Sequence, residues 1–222
     1  MPSYRAHRLA ITGKISSGKS TLSAILRDSG IPVLDADSIA REVMEKDLAI
    51  RKAIEQIIGT GAYTEEGLNT EIVAKTIFTS PKLKTELESV VHAAVWIRIE
   101  EAFAAAKAGT MVGVESAILY QTGYDAMFDI LVLVDATDEK VFENAARSGK
   151  LPPEEVTKRL AIQNFGEEWK EDADYVLAND CPLEEFEKRS KMLAALLLIT
   201  AKTDLPRLPL RIGTVNQGGK KR

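Results

Sequence analysis

The chain has 222 residues, of which 45% are hydrophobic and 28% charged, a composition typical of a globular domain rather than of a disordered, collagen-like or coiled-coil chain. Its 29 basic and 33 acidic residues leave a net charge of −4, which argues against bulk nucleic-acid binding but allows a local cationic pocket. One cysteine, Cys181, and two histidines exclude an intrachain disulfide and a cysteine- or histidine-rich metal site, and they are typical of a reducing compartment.

Apolar runs long enough to enter a membrane are missing from the sequence. The N-terminal segment is polar, and the longest apolar run, 192–199, is too short to cross a bilayer. The sequence therefore predicts a soluble, cytoplasmic protein with no membrane partner.

Short apolar runs alternate with helical segments along the chain. Strands are predicted at 9–12, 31–34, 110–114, 130–134 and 174–177, with helices following the first two. Because these runs are apolar on both faces, they predict a five-stranded parallel sheet covered by helices on both sides, a three-layer α/β/α fold. The region 62–108 breaks the alternation and predicts a purely helical insertion, and 204–222 predicts a flexible tail.

A phosphate-binding loop is the strongest motif in the sequence. The segment GKISSGKS at 13–20 fits G-x-x-x-x-G-K-[ST] at every fixed position and lies between a predicted strand and a predicted helix. The glycines turn backbone N–H groups toward phosphates, Lys19 would reach the β- and γ-phosphates, and Ser20 would ligate Mg²⁺. The alternative is a plain Gly-rich turn. The residues that the loop assigns to the nucleotide are Gly13, Lys14, Ile15, Ser16, Ser17, Gly18, Lys19, Ser20 and Thr21.

The side chains within this loop carry an expectation of their own. Lys14 and Ser16 add bulk where such loops often have glycine. We therefore expect backbone angles at these two positions that suit residues with a β-carbon.

A phosphate-binding loop is compatible with a small-molecule kinase, a GTPase or an ATPase motor. No aspartate of the chain has a glycine three residues later, as the GTPase switch requires, and an N-K-x-D guanine motif is missing. Asp35 and Asp37 follow the second predicted strand, where a kinase needs a carboxylate to accept the proton of the acceptor hydroxyl. The alternative is that Asp37 is the N-cap of the next helix. Together with the loop, the two carboxylates favour a kinase.

The order of segments from about Leu9 to Leu183 resembles that of the dephospho-CoA kinase family. The segment 31–43 (IPVLDADSIAREV) is similar to the family's D-A-D-x-I-A-R-E-V signature, and 173–179 (ADYVLAN) to its A-D-Y-V-I-x-N strand. Further similarities are at 88–92, 112–121, 132–135, Arg147 and 154–163. The resemblance implies a P-loop NTPase fold with an acceptor-binding insertion at 62–108 and a small helical lid at 140–168.

The resemblance also implies a reaction. ATP, with Mg²⁺, would phosphorylate the ribose 3′-hydroxyl of dephospho-CoA to give coenzyme A, in a monomer or small homo-oligomer without a nucleic-acid partner. A kinase of another nucleoside-like acceptor is the first alternative, and a non-catalytic nucleotide-binding protein is the second. The chain departs from the family pattern mainly on the acceptor side, at Lys14, Ala93, Ala117 and Gln121.

The family's roles fall on particular residues of this chain. Asp37 would be the general base, and Lys19 and Arg147 would stabilise the transferring phosphoryl group. The residues that would bind the acceptor are Asp35, Arg41 and His92, those that would hold Mg²⁺ are Ser20 and Glu115, and the residue near the adenine is Asn179.

Several of these residues keep a structural alternative. His92 would equally be a packing residue of an apolar helix face, and Glu115 a carboxylate facing solvent. Arg159 is a weaker lid candidate, because an arginine there equally fits a solvated helix face. Four aromatic residues could line the substrate site, although core packing is favoured for each: Trp96, Tyr120, Tyr124 and Phe128.

Overall fold

The structure, a computed structural model, describes residues 5–149, 151–163, 168–203 and 209–213, apart from the side chains of Tyr120, Gln121 and Glu168. The chain forms two compact units. We call Met1–Leu34 with Ala105–Arg222 the sheet unit, and Asp35–Ala104 the helical unit. The helical unit thus begins well before residue 62, where the sequence predicts the insertion to start.

Among the described residues, the main sheet has six strands: β1 (His7–Gly13), β2 (Val33–Asp35), β5 (Met111–Glu115), β6 (Ile130–Asp135), β7 (Tyr175–Ala178) and β8 (Leu210–Ile212). Their order is β2-β5-β1-β6-β7-β8, and β1, β5, β6, β7 and β8 pair in parallel. The prediction of five strands is therefore one short. β8 lies in the range 204–222 that was predicted to be a flexible tail, and its three residues are too few to show a period in the sequence. Residues 204–208 and 214–222 lie outside the described ranges.

Helices cover both faces of the sheet, as the apolar strands predict. On one face, α1 (Lys19–Asp28) and α10 (Leu183–Lys202) bury a large apolar cluster against the sheet. On the other face, the cluster involves α6 (Leu119–Thr122), a 3₁₀ turn at Asp125–Met127 and α9 (Glu168–Asp172). Successive residues of β1 alternate between these clusters, with Leu9 and Ile11 in the first and Ala10 in the second.

The segment after β6 forms a separate helical hairpin. Its helices are α7 (Asp138–Ser148) and α8 (Pro153–Ile162), both inside the lid range apart from the first two residues of α7. Between them lies a small apolar cluster of Ala136, Val141, Ala145 and Val156, with Ile15, Leu151 and Leu160 packed against it. Residues 164–167 of the predicted lid lie outside the described ranges.

The helical unit contains α2 (Ala36–Lys46), α3 (Leu48–Ile58), α4 (Thr70–Thr79) and α5 (Pro81–Ala105), together with a two-stranded hairpin, β3 (Tyr63–Thr64) and β4 (Gly67–Leu68). The region is thus not purely helical. The Tyr63 hydroxyl donates to the Met44 carbonyl oxygen at 2.6 Å and ties this hairpin to α2. The buried residues of α5 recur every four positions and form the apolar stripe that its periodicity predicts: Leu87, Val91, Val95, Ile99 and Phe103.

Within the described ranges, no helix is both long enough and apolar enough to cross a membrane.

Candidate active site

The phosphate-binding loop joins the end of β1 to the start of α1. Gly13 closes β1, and Gly18 is the N-cap of α1 with a φ of 110°, in the left-handed region that favours glycine. A β-carbon on Gly13 would collide with the Val134 carbonyl oxygen and lie 2.8 Å from Ser17 Oγ. Both glycines are therefore required by the backbone, which confirms that GKISSGKS forms a loop between a strand and a helix.

Asn179, which directly follows β7, supports this loop. A β-carbon on Gly18 would lie 2.6 Å from Asn179 Nδ2 and 3.0 Å from a ring carbon of Phe186, so the loop is packed closely against both. Asn179 Nδ2 donates to the Ser17 carbonyl oxygen at 2.7 Å, and the residue is only 4% exposed. Its side-chain donor therefore holds the loop backbone, and its contact with adenine stays a prediction.

Lys19 is folded over the loop it follows. Its ammonium nitrogen donates to the carbonyl oxygens of Gly13 at 2.9 Å and of Lys14 at 2.8 Å, and the residue is 7% exposed. A cation is thus held in place at the first residue of α1, where the N-terminal end of the helix adds positive potential.

Ser16 contradicts the expectation of ordinary backbone angles in the loop. Its φ is 54°, a left-handed conformation that residues with a β-carbon adopt rarely. The Ser16 carbonyl oxygen accepts a hydrogen bond of 3.0 Å from Asn144 Nδ2. A tight loop thus overrides the preference of the residue, and a side chain from α7 holds the resulting peptide.

The α7–α8 hairpin contacts three consecutive residues of the loop. The contacts are Lys14 Nζ with Asp138 Oδ1 at 2.6 Å, Ile15 N–H with Gln163 Oε1 at 2.7 Å, and Asn144 Nδ2 with the Ser16 carbonyl oxygen. Arg147 is exposed, and its Nη2 donates to Asn144 Oδ1 at 2.8 Å. The structure therefore brings Arg147 into the same network as the loop.

Asn144 and Gln163 are absent from the sequence-based candidates. Their partners lie 128 and 148 residues away along the chain. Neither amide belongs to a motif that would have marked its role. The sequence signal for Asn144 is its three-residue spacing from Arg147, which places both on one face of α7. The signal for Gln163 is its place at the end of 154–163, a segment similar to the family.

The oxygen donors predicted for Mg²⁺ lie at the same edge of the sheet. Ser20 is exposed in the first turn of α1, and Glu115 is half-buried at the end of β5, paired in register with Ile11 of β1. Hydroxyl and carboxylate oxygens are the donors that Mg²⁺ prefers, and it commonly takes only one or two from the protein and the rest from phosphates and water. Within the described ranges, no three His, Cys, Asp or Glu side chains group as metal ligands.

The two aspartates at the start of the helical unit have different roles in α2. Asp35 is the N-cap: its Oδ1 accepts from the N–H of Asp37 at 3.0 Å and of Ser38 at 3.3 Å, and its Oδ2 accepts from Ser38 Oγ at 2.8 Å. Asp37 is exposed in the first helical turn. The alternative that Asp37 caps the helix is thus wrong, because Asp35 does so.

The remaining acceptor candidates also belong to the helical unit. Arg41 is exposed one turn after Asp37, and in the described part of the chain no ion pair joins the two. His92 is half-buried on α5, beside the buried Val91 and three residues before the buried Val95. Trp96, also on α5, is half-buried.

Two of the aromatic candidates belong to the core of the sheet unit. Tyr124 and Phe128 pack, partly buried, against the second sheet cluster, in agreement with core packing. The side chain of Tyr120 lies outside the description. The candidate residues divide between the two units. The sheet unit contains Lys19, Arg147, Glu115 and Asn179, and the helical unit contains Asp35, Asp37, Arg41 and His92.

The sheet is parallel and covered on both faces, a G-x-x-x-x-G-K-S loop follows its first strand, and a buried lysine is folded over that loop. These features together define a P-loop nucleotide-binding enzyme. The family model described as dephospho-CoA kinase matches residues 7–185. The chain therefore belongs to the dephospho-CoA kinase family, as its sequence pattern predicts.

Individual relatives agree with this assignment. The dephospho-CoA kinase of Streptomyces avermitilis is 32% identical over 183 residues, covering 82% of this chain and 89% of the relative. That of Deinococcus radiodurans is 35% identical over 190 residues, covering 84% and 91%. A crystal structure of a Thermus thermophilus protein superposes with a TM-score of 0.74 at 31% identity, over 87% of this chain and 98% of that one.

A more distant structure supports the fold alone. Dephospho-CoA kinase from Campylobacter jejuni superposes with a TM-score of 0.65 at 20% identity, over 87% of this chain and 98% of that one. The chain is thus a kinase of coenzyme A biosynthesis by family, and ATP is the phosphoryl donor that this family implies.

Proposed function

We propose that this protein transfers the γ-phosphoryl group of ATP to the ribose 3′-hydroxyl of dephospho-CoA, giving coenzyme A and ADP. The observation that carries the proposal is the family match over residues 7–185, which includes the complete phosphate-binding loop. Nucleotide binding is supported independently by the loop geometry, since a lysine that is 7% exposed lies against two loop carbonyl oxygens.

The loop and Arg147 act on the phosphates. Lys19 binds the β- and γ-phosphate oxygens and exchanges its loop carbonyl partners for them. Arg147, linked to the loop through Asn144, stabilises the charge on the transferring phosphoryl group. The backbone N–H groups at the start of α1 add to this positive field.

Asp37 acts on the acceptor. Its carboxylate is not engaged in capping α2, because Asp35 supplies the cap. Asp37 accepts the proton of the 3′-hydroxyl as the oxygen forms its bond to the γ-phosphorus and the bond from that phosphorus to the bridging oxygen of ADP breaks. Asp35, Arg41 and His92 bind the acceptor.

Ser20 and Glu115 are the residues of this chain that would hold Mg²⁺, because both present oxygen atoms at the carboxyl end of the sheet. When bound, the ion neutralises charge on the β- and γ-phosphates. The α7–α8 hairpin is the lid of the proposed site and excludes water from the phosphates.

The test is a reaction of the purified full chain with ATP, Mg²⁺ and dephospho-CoA. ADP should form only when dephospho-CoA is present, and chromatography should show an equal amount of coenzyme A. AMP, adenosine and shikimate serve as alternative acceptors. Turnover with one of these and none with dephospho-CoA would replace the acceptor, and ATP binding without transfer to any acceptor would contradict a kinase.

A further inference from the structure

Asn144 is a buried amide whose two ends bind different parts of the proposed site. It is 8% exposed on α7. Its Nδ2 donates to the Ser16 carbonyl oxygen at 3.0 Å, and its Oδ1 accepts from Arg147 Nη2 at 2.8 Å. A carbonyl oxygen can only accept and a guanidinium can only donate, so the two partners permit one orientation of the amide.

The loop end of this contact is a peptide with an unusual shape. Ser16 has a φ of 54°, and its carbonyl direction depends on that left-handed angle. A change in the conformation of Ser16 would move the carbonyl away from Asn144. The hydrogen bond therefore makes the position of Asn144 depend on the shape of the phosphate-binding loop.

The other end of the contact is a flexible cation. Arg147 is exposed in the last turn of α7, and an exposed arginine has many rotamers of similar energy. The bond to Asn144 Oδ1 selects among these rotamers. A group that stabilises a transferring phosphoryl must be aimed before the reaction, because misplacement of about 1 Å can cost about 10²-fold in rate.

The hairpin that carries Asn144 is itself anchored on the loop. The side chain of Ile15 packs against the apolar cluster between α7 and α8, and its N–H donates to Gln163 Oε1 at 2.7 Å. Asn144 thus lies in a helix whose position relative to the loop is already set by the residue before Ser16.

We propose that Asn144 is a positioning residue for phosphoryl transfer, which aims the Arg147 guanidinium according to the conformation of the phosphate-binding loop at Ser16. The proposal rests on the proposed function, since Arg147 acts on the phosphoryl group there. Asn144 itself touches neither ATP nor the acceptor.

A double-mutant cycle on kcat tests this role. Arg147→Ala should lower kcat by about 10²-fold with smaller changes in the KM for ATP and dephospho-CoA. Asn144→Ala should lower kcat by a similar factor, and the double variant should be no slower than Arg147→Ala alone, because both changes remove the same aimed cation. Losses that multiply in the double variant would overturn the proposal, and so would an unchanged kcat in Arg147→Ala.

Asn144→Asp keeps the cycle informative if the alanine variant does not fold. Aspartate has the same shape and keeps an acceptor for Arg147, but its carboxylate cannot donate to the Ser16 carbonyl oxygen. We expect kcat to fall while Arg147 stays paired, because the link to the loop is lost. Full kcat in this variant would show that Ser16 plays no part and would overturn the coupling.

Gln163→Ala is the matched control. Gln163 is as buried as Asn144 and binds the same loop, but through the N–H of Ile15 rather than through Arg147. Because the Ile15 side chain still packs against the cluster between α7 and α8 in this variant, the hairpin stays on the loop, and the effect of Gln163→Ala on kcat should multiply with that of Arg147→Ala. If the wild-type protein forms no coenzyme A, the proposed function and this role are both overturned. If the wild type is active but the losses from Asn144→Ala and Arg147→Ala multiply, only this role is overturned.

Discussion

The phosphate-binding loop and the start of α2 carry the two halves of the proposed chemistry, and they are held by different kinds of contact. The loop carbonyls of Ser16 and Ser17 bind side chains 128 and 162 residues away in the chain. The first turn of α2 is held by Asp35, whose partners lie two and three residues away. The shape of the loop thus depends on the whole sheet unit, whereas that of α2 depends on its own sequence.

In the loop, the same residue contributes to stability and to the proposed catalysis. At the start of α2, different residues do so. In the loop, Lys19 both binds carbonyl oxygens of the protein and is the cation proposed to meet ATP. In α2, Asp35 caps the helix and the neighbouring Asp37 is exposed. Substitution of Lys19 should therefore affect folding and turnover together, whereas at the start of α2 the loss of kcat should come from Asp37 and the loss of stability from Asp35.

Replacement of Lys19 is expected to have the largest effect. Lys19→Ala should lower kcat by about 10³-fold, since it removes a preorganised charge from the phosphates. It should also lower the melting temperature, because the carbonyl oxygens of Gly13 and Lys14 lose the hydrogen bonds from the Lys19 ammonium. Coupled ADP release and thermal unfolding measure the two effects.

Lys52→Ala is the control for the loss of one positive charge. Lys52 is exposed on α3, so its replacement should leave kcat and the melting temperature unchanged. A Lys19→Ala variant that kept a tenth of wild-type kcat would contradict the assigned role. A large loss of kcat without any loss of stability would instead break the link between folding and catalysis in the loop.

Two variants, Asp37→Asn and Asp35→Ala, test whether catalysis and stability depend on different residues at the start of α2. Asp37→Asn should lower kcat by about 10²–10⁴-fold, because an amide cannot accept the proton of the hydroxyl. Its free energy of unfolding should fall by only about 0.5 kcal/mol, the usual effect of one charge at a helix N-terminus. ATP affinity, measured by calorimetry, should stay the same.

Asp35→Ala should destabilise the protein more than Asp37→Asn does. It removes three hydrogen bonds at the start of α2 and should cost about 1 kcal/mol of unfolding free energy. Asp35→Asn retains the cap and serves as the matched control, so it should recover most of that loss. If Asp37→Asn destabilised the protein as much as Asp35→Ala, the two roles would not be separate.

The same contrast explains how much of the structure could be predicted from the sequence. The phosphate-binding loop was predictable because Gly13 and Gly18 are required by backbone geometry within eight contiguous residues. The parallel sheet was predictable because its strands are uniformly apolar. In both cases the pattern that allows the prediction lies within a short contiguous stretch of sequence.

What the sequence could not predict depends on contacts between distant segments. Asn144 and Gln163 reach the loop from across the fold, and the left-handed Ser16 exists because those contacts hold it. β8 is a strand because it adds to β7, since three residues have no pattern of their own. The N-cap of α2 is a local exception: Asp37 is the cap considered from the sequence, and the backbone at the end of β2 gives that position to Asp35 instead.

Arg159 is expected to give the smallest effect, and it tests whether the network of the loop extends along α8. Its Nε donates to Glu155 Oε1 at 2.8 Å on the exposed face of that helix, four residues apart. The hydrogen bond from Arg159 lowers the pKa of Glu155 below its ordinary value. This is the solvated helix face rather than a contact with the loop, so Arg159→Ala should leave kcat unchanged.

The pH dependence of this pair follows from the lowered pKa of Glu155. A carboxyl group with a lowered pKa in the folded state adds its stability above its ordinary pKa and loses it as the pH falls through the lowered one. The melting temperatures of wild type and Arg159→Ala should thus differ slightly at neutral pH and converge in acid. In the variant, NMR titration of the Glu155 carboxyl carbon should show an ordinary pKa. A severalfold loss of kcat in Arg159→Ala would instead assign this arginine to the phosphate site and extend the region of long-range contacts to the last turn of α8.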